Sequence, residues 1–253
     1  MNLLQVTAAS FRLYSNHIGW HLLGGLALVL STLVGVGLMC GALLAAMLLA
    51  IPFGPDGGWI RQPLAAGLIL LTLGAGALAG SIIIFASLGA FVHVCAQIGA
   101  GVREITVIGF VDYMRRFGHV FWTIGILQLL LGSLAALPFV IASMLLSSAW
   151  EPVLFIGAAF GILAFFLAQW PLWLAFGAQV VERGGVLGSI GLSVRTSLRA
   201  PVSSLAGLLL LGVAFSLPLP MLLFYPVYFY FVFAPLAADF GLVYYEASRG
   251  MLK

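Results

Sequence analysis

Charged positions along this chain are few, and the stretches between them are apolar. Nothing is charged between Arg12 and Asp56, between Arg61 and Arg103, between Arg116 and Glu151, or between Glu151 and Glu182. A last long run separates Arg199 from Asp239. It is interrupted by Ser216-Leu217-Pro218-Leu219-Pro220, where two prolines favour a turn. Crossing ~30 Å of hydrocarbon takes roughly 20 apolar residues as a helix. The runs therefore predict six transmembrane helices, over Ile18–Ile51, Pro63–Gln97, Gly118–Ser147, Val153–Val180, Pro201–Leu217 and Met221–Tyr245. They are continuous rather than alternating, which excludes a transmembrane β-barrel. The expected fold class is an all-α integral membrane protein.

Composition agrees with the pattern. The 253 residues are 63% hydrophobic and 7% charged, with a mean hydropathy of +1.21. A soluble domain carries roughly 25% charged residues. A soluble enzyme, a nucleic-acid binder, a disordered chain and a disulfide-rich secreted scaffold are all excluded. Cys40 and Cys95 both fall inside apolar runs and imply no disulfide framework. No short hydrophobic region followed by a cleavage site opens the chain, so the first span is expected to be retained. Arg12 precedes span one, and Arg61 follows it. Arg103, Arg115 and Arg116 lie between spans two and three. Arg183, Arg195 and Arg199 lie between four and five, and Arg249 and Lys253 follow six. With the N-terminus inside, nine of the ten basic residues are cytoplasmic. That asymmetry predicts cytoplasmic N- and C-termini in the cell inner or plasma membrane.

Short amphipathic segments precede spans one, three and five. Their apolar stripes are Leu4, Thr7, Phe11, Tyr14 and Ile18; then Val107, Phe110, Met114 and Phe117; then Leu187, Ile190, Val194 and Leu198. Each reads as a helix lying in the cytoplasmic interface. The text Asn16-His17-Ile18-Gly19-Trp20 is similar to Gly118-His119-Val120-Phe121-Trp122. The chain is thus one polytopic domain over residues 1–253. It divides into three units of interfacial helix plus hairpin, about 1–100, 101–181 and 182–253, or else simply carries loop helices beside a membrane.

Between spans four and five stand Gln179-Val180-Val181-Glu182-Arg183-Gly184-Gly185, Ser189-Ile190 and Ser193-Val194-Arg195. After span six stand Val243-Tyr244-Tyr245-Glu246 and Arg249. These motifs and the layout resemble the superfamily of the glycerophosphodiester phosphodiesterase membrane domain. That superfamily includes six-helix membrane proteins of bacteria and archaea without an assigned function. The resemblance implies a six-helix α-fold and no catalytic residues. No soluble phosphodiesterase domain is present, so no hydrolase activity carries over.

Ionisable residues within a span are costly and are functional candidates by default. Asp239 is either a cation or proton site facing the bundle interior, or an interfacial acid paired with Arg249 or another arginine. His17 and His21 lie four apart at the start of span one, His119 opens span three, and His93 ends span two with Cys95 two residues on. Shared depth makes them candidates for a metal or haem site; ordinary interfacial or packing roles are the alternative. No cofactor is otherwise expected. Arg115, Arg116, Arg195 and Arg199 are candidate contacts for lipid phosphate. The pairs Gly37/Gly41, Gly76/Gly80 and Gly157/Gly161 put small faces on spans one, two and four, suited to close helix packing. The run Phe224–Phe231 is an aromatic belt or a docking face.

No catalytic constellation is visible. The expected function is a non-catalytic membrane protein, an accessory or scaffold subunit or a lipid-interacting factor. Its partners would be membrane lipids and another membrane protein. The alternatives are a permease for a small or amphipathic molecule using Asp239, and a metal or cofactor protein using the histidines.

Overall fold

A computed structural model describes residues 3–53, 62–102, 106–146, 152–216 and 224–250. Asp56, Arg61, Arg103, Glu151, Lys253 and the turn at Pro218 and Pro220 lie outside the described residues. The described secondary structure is helical throughout: α1 (Leu3–Asn16), α2 (Ile18–Ala50), α3 (Pro63–Gly99), α4 (Val107–Leu146), α5 (Pro152–Gln169), α6 (Ala175–Glu182), α7 (Gly185–Arg199), α8 (Pro201–Ser216), α9 (Tyr225–Tyr228) and α10 (Ala234–Gly250). A π-helical turn, Phe229–Phe233, joins the last two.

Five segments are each long and apolar enough to cross a membrane: α2, α3, α4, Val153–Glu182 and Tyr225–Arg249. The pair α7 and α8 would make a sixth, but the two axes are bent by 107°. At 1.5 Å per residue, the 16 residues of α8 span ~24 Å, short of the hydrocarbon thickness. Large apolar side chains face outward, as with Leu71 (69% exposed), Leu145 (73%) and Phe155 (81%). Small residues face the helix contacts. This distribution suits a lipid surround.

Glycine governs the contacts between spans. A side chain at Gly80 would meet the Gly35 carbonyl and Met39, and one at Gly76 would meet Ala42. On the next interface the Phe121 ring lies over Gly89 while the Phe85 ring lies over Gly125, a reciprocal interlock of α3 and α4. Gly157 of α5 accepts Ser143 of α4. The Gly76/Gly80 and Gly157 expectations hold, but Gly37 and Gly41 have open space beside them. At 100° per residue, position 37 lies about 200° round the helix from Gly35. The face of α2 that packs runs through Leu28, Gly35 and Ala42, which recur every seven residues.

The three amphipathic segments meet their spans in three ways. α1 is separate and packs on α10, burying Val6, Ser10 and Tyr14. Leu4 and Phe11, from the predicted stripe, point away from the protein. The second segment is not a separate helix. It forms the first turns of the 40-residue α4, because nothing between Phe117 and Trp122 breaks the backbone ladder, and its Phe110, Met114 and Phe117 join the core. The third, α7, is separate, yet turns serines inward: Ser189, Ser193 and Ser197 are buried while Leu187 and Leu198 are exposed.

Those serines answer a break in the fourth span. Pro171 lies in a 3-10 turn, Trp170–Leu172, which divides α5 from α6 and frees carbonyls that a regular helix would use. Ser193 Oγ donates to Pro171 O at 2.8 Å, and Ser197 Oγ to Trp170 O at 3.4 Å. Gln128 Nε2 of α4 donates to Leu172 O at 2.8 Å. Ser193→Ala is expected to destabilise the protein by about 1 kcal/mol, measurable as a lowered melting temperature in detergent. Ser203→Ala, elsewhere on this bent pair, removes a hydroxyl with no hydrogen-bond partner among the described residues and is expected to change little.

Candidate functional site

The last span carries the feature that builds the site. Pro235 has no N–H for the carbonyl four residues back, that of Phe231. This carbonyl instead accepts the Tyr14 hydroxyl at 2.8 Å. The bond ties α1 to the π-turn, where an extra residue per turn loosens the ladder. The phenol sits at the foot of α1, and burial raises its pKa, keeping it a donor. Across the same turn runs α2, which comes close enough that a Cβ at Gly25 would lie 2.7 Å from Tyr230 O. Gly24, its neighbour, sits against Phe91 and Val94 of α3. One helical turn before this pair of glycines stands His21.

His21 is fully buried and meets two partners from two other spans. Its Nε2 lies 3.2 Å from Asp239 Oδ2 of α10, and both side chains are 0% exposed. Its Nδ1 lies 3.8 Å from the buried Cys95 Sγ of α3. Nitrogen, sulfur and oxygen from three helices thus converge, with the ligating atoms all within 4.8 Å of one another. Asp239 Oδ1 has no hydrogen-bond partner among the described residues. The Tyr14 ring covers His21 at a centroid distance of 5.3 Å. Burying a carboxylate is costly unless it is paired and hydrogen-bonded, so the close contact with His21 is a structural necessity for Asp239. The Cys95 thiol faces Nδ1, while the approach of Nε2 to Oδ2 is a close contact without good hydrogen-bond geometry.

Asp239 therefore faces the interior. The arginine pairing considered for it belongs to another acid: Arg249 binds Glu182 at 2.9 Å, and Tyr245 Oη lies 3.5 Å from the same carboxylate. The two short motifs behind the superfamily resemblance meet at this contact. Of the four candidate histidines, only His21 joins the cluster. His17 is half-buried beside a shallow surface hollow with Asn16 and Trp20. His119 is exposed. His93 stacks on Tyr113, with ring centroids 3.7 Å apart and planes 4° from parallel. Arg115, Arg116, Arg195 and Arg199 are all exposed, and Arg116 pairs with Asp112 at 3.0 Å. The partnership of Cys95 with His21 was not legible in the sequence. The available signal was the set of small residues beside the polar ones: Gly24 and Gly25 after His21, and Ala237, Ala238 and Gly241 around Asp239.

Next to the cluster, on the opposite side of α10, lies a cavity of about 380 Å³. Phe91 and Val92 of α3, Trp173, Phe215 of α8, Phe233 and Gly241 help to line it, and Gln128 brings its amide. Part of the aromatic run packs inward here: Phe215 makes edge-on contacts with Tyr225, Phe229 and Phe233, while Phe224 is exposed. Asp239 is not part of the lining. Comparison of the chain with known protein families, curated proteins and solved structures found no match.

Proposed function

We propose that this chain is a non-catalytic, lipid-interacting protein of the cell inner or plasma membrane. It has six spans, with the α7–α8 pair supplying one, and both termini and the amphipathic segments on the cytoplasmic side. The single observation that carries the functional reading is the cavity beside α10. Its volume lies at the lower end of the 300–1,000 Å³ usual for ligand sites, and its walls are apolar with one amide, the pattern of a small-molecule pocket. An acyl chain or a similarly slender amphipath fits such walls. The exposed arginines Arg195 and Arg199 of α7 suit a lipid phosphate. A superfamily of six-helix membrane proteins without catalytic residues, to which the motifs at Glu182 and Tyr245 are similar, agrees with this reading.

Trp173 lines the cavity and reports on it. A brominated fatty acid added to the protein in mild detergent is expected to quench fluorescence saturably, and Trp173→Phe should remove that saturable component. Gly212 and Gly241 line the cavity with open space where a side chain would go. Gly241→Phe, whose Cβ would meet nothing within 4 Å, should therefore occupy cavity space and weaken binding at least about tenfold, equivalent to 1.4 kcal/mol. Quenching that is linear in lipid and indifferent to Gly241→Phe would sink the proposal.

A further inference from the structure

The geometry points to a binding site for a borderline-soft divalent cation of the zinc class, formed by His21, Cys95 and Asp239. Three kinds of donor arrive from three spans, and all are buried. Imidazole, thiolate and carboxylate together suit zinc or cobalt: a carboxylate is a poor partner for copper(I), and a thiolate is a poor one for magnesium or calcium. Charge favours the same class. A dication with one thiolate, one carboxylate and a neutral imidazole is neutral overall, which suits a dry interior where each anion by itself is expensive. On binding, the Cys95 thiol proton leaves to solvent as the Sγ–metal bond forms, and no electron transfer is involved.

Geometry and unmet hydrogen bonding agree with this. Tetrahedral zinc with bonds of about 2.0–2.3 Å places its ligand atoms roughly 3.3–3.7 Å apart. The His21–Asp239 separation is 3.2 Å, and the widest spacing among the three ligating atoms is within 4.8 Å. Side-chain rotation covers the difference of about 1 Å. Neither Asp239 oxygen makes a hydrogen bond of good geometry among the described residues, and neither does His21 Nε2. A metal ion at the centre would engage these atoms. Three protein ligands leave a fourth position open. The ion would fasten α2, α3 and α10 together at the end of the bundle where α1 packs. This site is separate from the cavity, and the inference does not depend on an amphipath binding there.

The test uses the full chain purified in mild detergent, stripped with chelator, and loaded with zinc or cobalt. The expected result is one metal per chain by elemental analysis. With cobalt, visible bands of tetrahedral intensity and a near-ultraviolet thiolate charge-transfer band should appear. Cys95→Ser should abolish the charge-transfer band. Asp239→Asn and His21→Gln should weaken affinity at least about tenfold, since even outer partners of metal ligands are worth 10–100-fold. His93→Gln should leave both readouts unchanged. If a variant does not fold, as judged by its elution and melting, the wild-type cobalt spectrum decides the matter. Absence of stoichiometric metal from well-folded wild type, or cobalt bound without a thiolate band, would overturn the assignment. So would unchanged affinity in folded Cys95→Ser and Asp239→Asn.

Discussion

His21→Leu is expected to destabilise the metal-free protein by about 3 kcal/mol, the cost of leaving the buried Asp239 carboxyl without its polar neighbour. The substitution keeps a bulky side chain at position 21 but removes the imidazole that lies 3.2 Å from Asp239. Asp239→Leu leaves an imidazole, which burial penalises less, and should cost about 1–3 kcal/mol. The informative variant is the double one. With both groups replaced by leucine no polar atom is stranded, and stability should return to within about 1 kcal/mol of wild type. The check is a double-mutant cycle by denaturant titration in detergent, with chelator present so that no metal contributes. If the two single losses simply added, the pair would not be coupled, and its role in holding α2 to α10 would have to be given up.

The second large effect comes from a residue with no side chain. Gly25→Val should destabilise by about 3 kcal/mol, because its Cβ would lie 2.7 Å from the backbone oxygen of Tyr230. A backbone atom cannot step aside as a flexible side chain does, and overpacking a fixed contact costs about 1–3 kcal/mol or more. The same change should separate His21 from Asp239, since His21 is one turn away on the same face. Gly37→Ala on the same helix supplies the contrast. Gly37 has open space around it, so the methyl should be neutral or stabilising by up to about 1 kcal/mol through helix propensity. Paired melting curves of these two variants distinguish a packing effect from a general intolerance of substitution in α2. Equal melting temperatures would refute the close approach of α2 to the π-turn.

How much could be read beforehand differs from element to element. The start of α2 at Ile18 and of α3 at Pro63 matches the run of apolar residues, because insertion into hydrocarbon depends on local apolarity summed over one turn after another. The third span begins eleven residues earlier than the hydrophobic run suggested, at Val107 rather than Gly118. Hydropathy marks where hydrocarbon ends, whereas a helix continues until a residue stops it. The stripe Val107, Phe110, Met114 and Phe117 was visible as helical, but its burial partners lie on other elements. α7 shows the same limit in reverse. The sequence marked its apolar stripe, but Ser193 and Ser197, off that stripe, are the residues that turn inward and satisfy the carbonyls of Pro171 and Trp170.

The candidate site divides in the same way. Asp239 and His21 were each identifiable as unusual residues in apolar surroundings, because an ionisable group is conspicuous against a lipid background. Their pairing was not identifiable: they are 218 positions apart, with Cys95 between them on a third helix. What made them neighbours is the approach of backbones at Gly24 and Gly25, and the freed Phe231 carbonyl that holds α1 by Tyr14. Local composition was enough to establish a helical, apolar chain suited to a membrane and the placement of most of its spans, since the bilayer acts on each segment as a solvent acts on a solute. Which polar groups meet inside the bundle depends on rotation and crossing of helices, and these are set by contacts among small residues that no single segment contains.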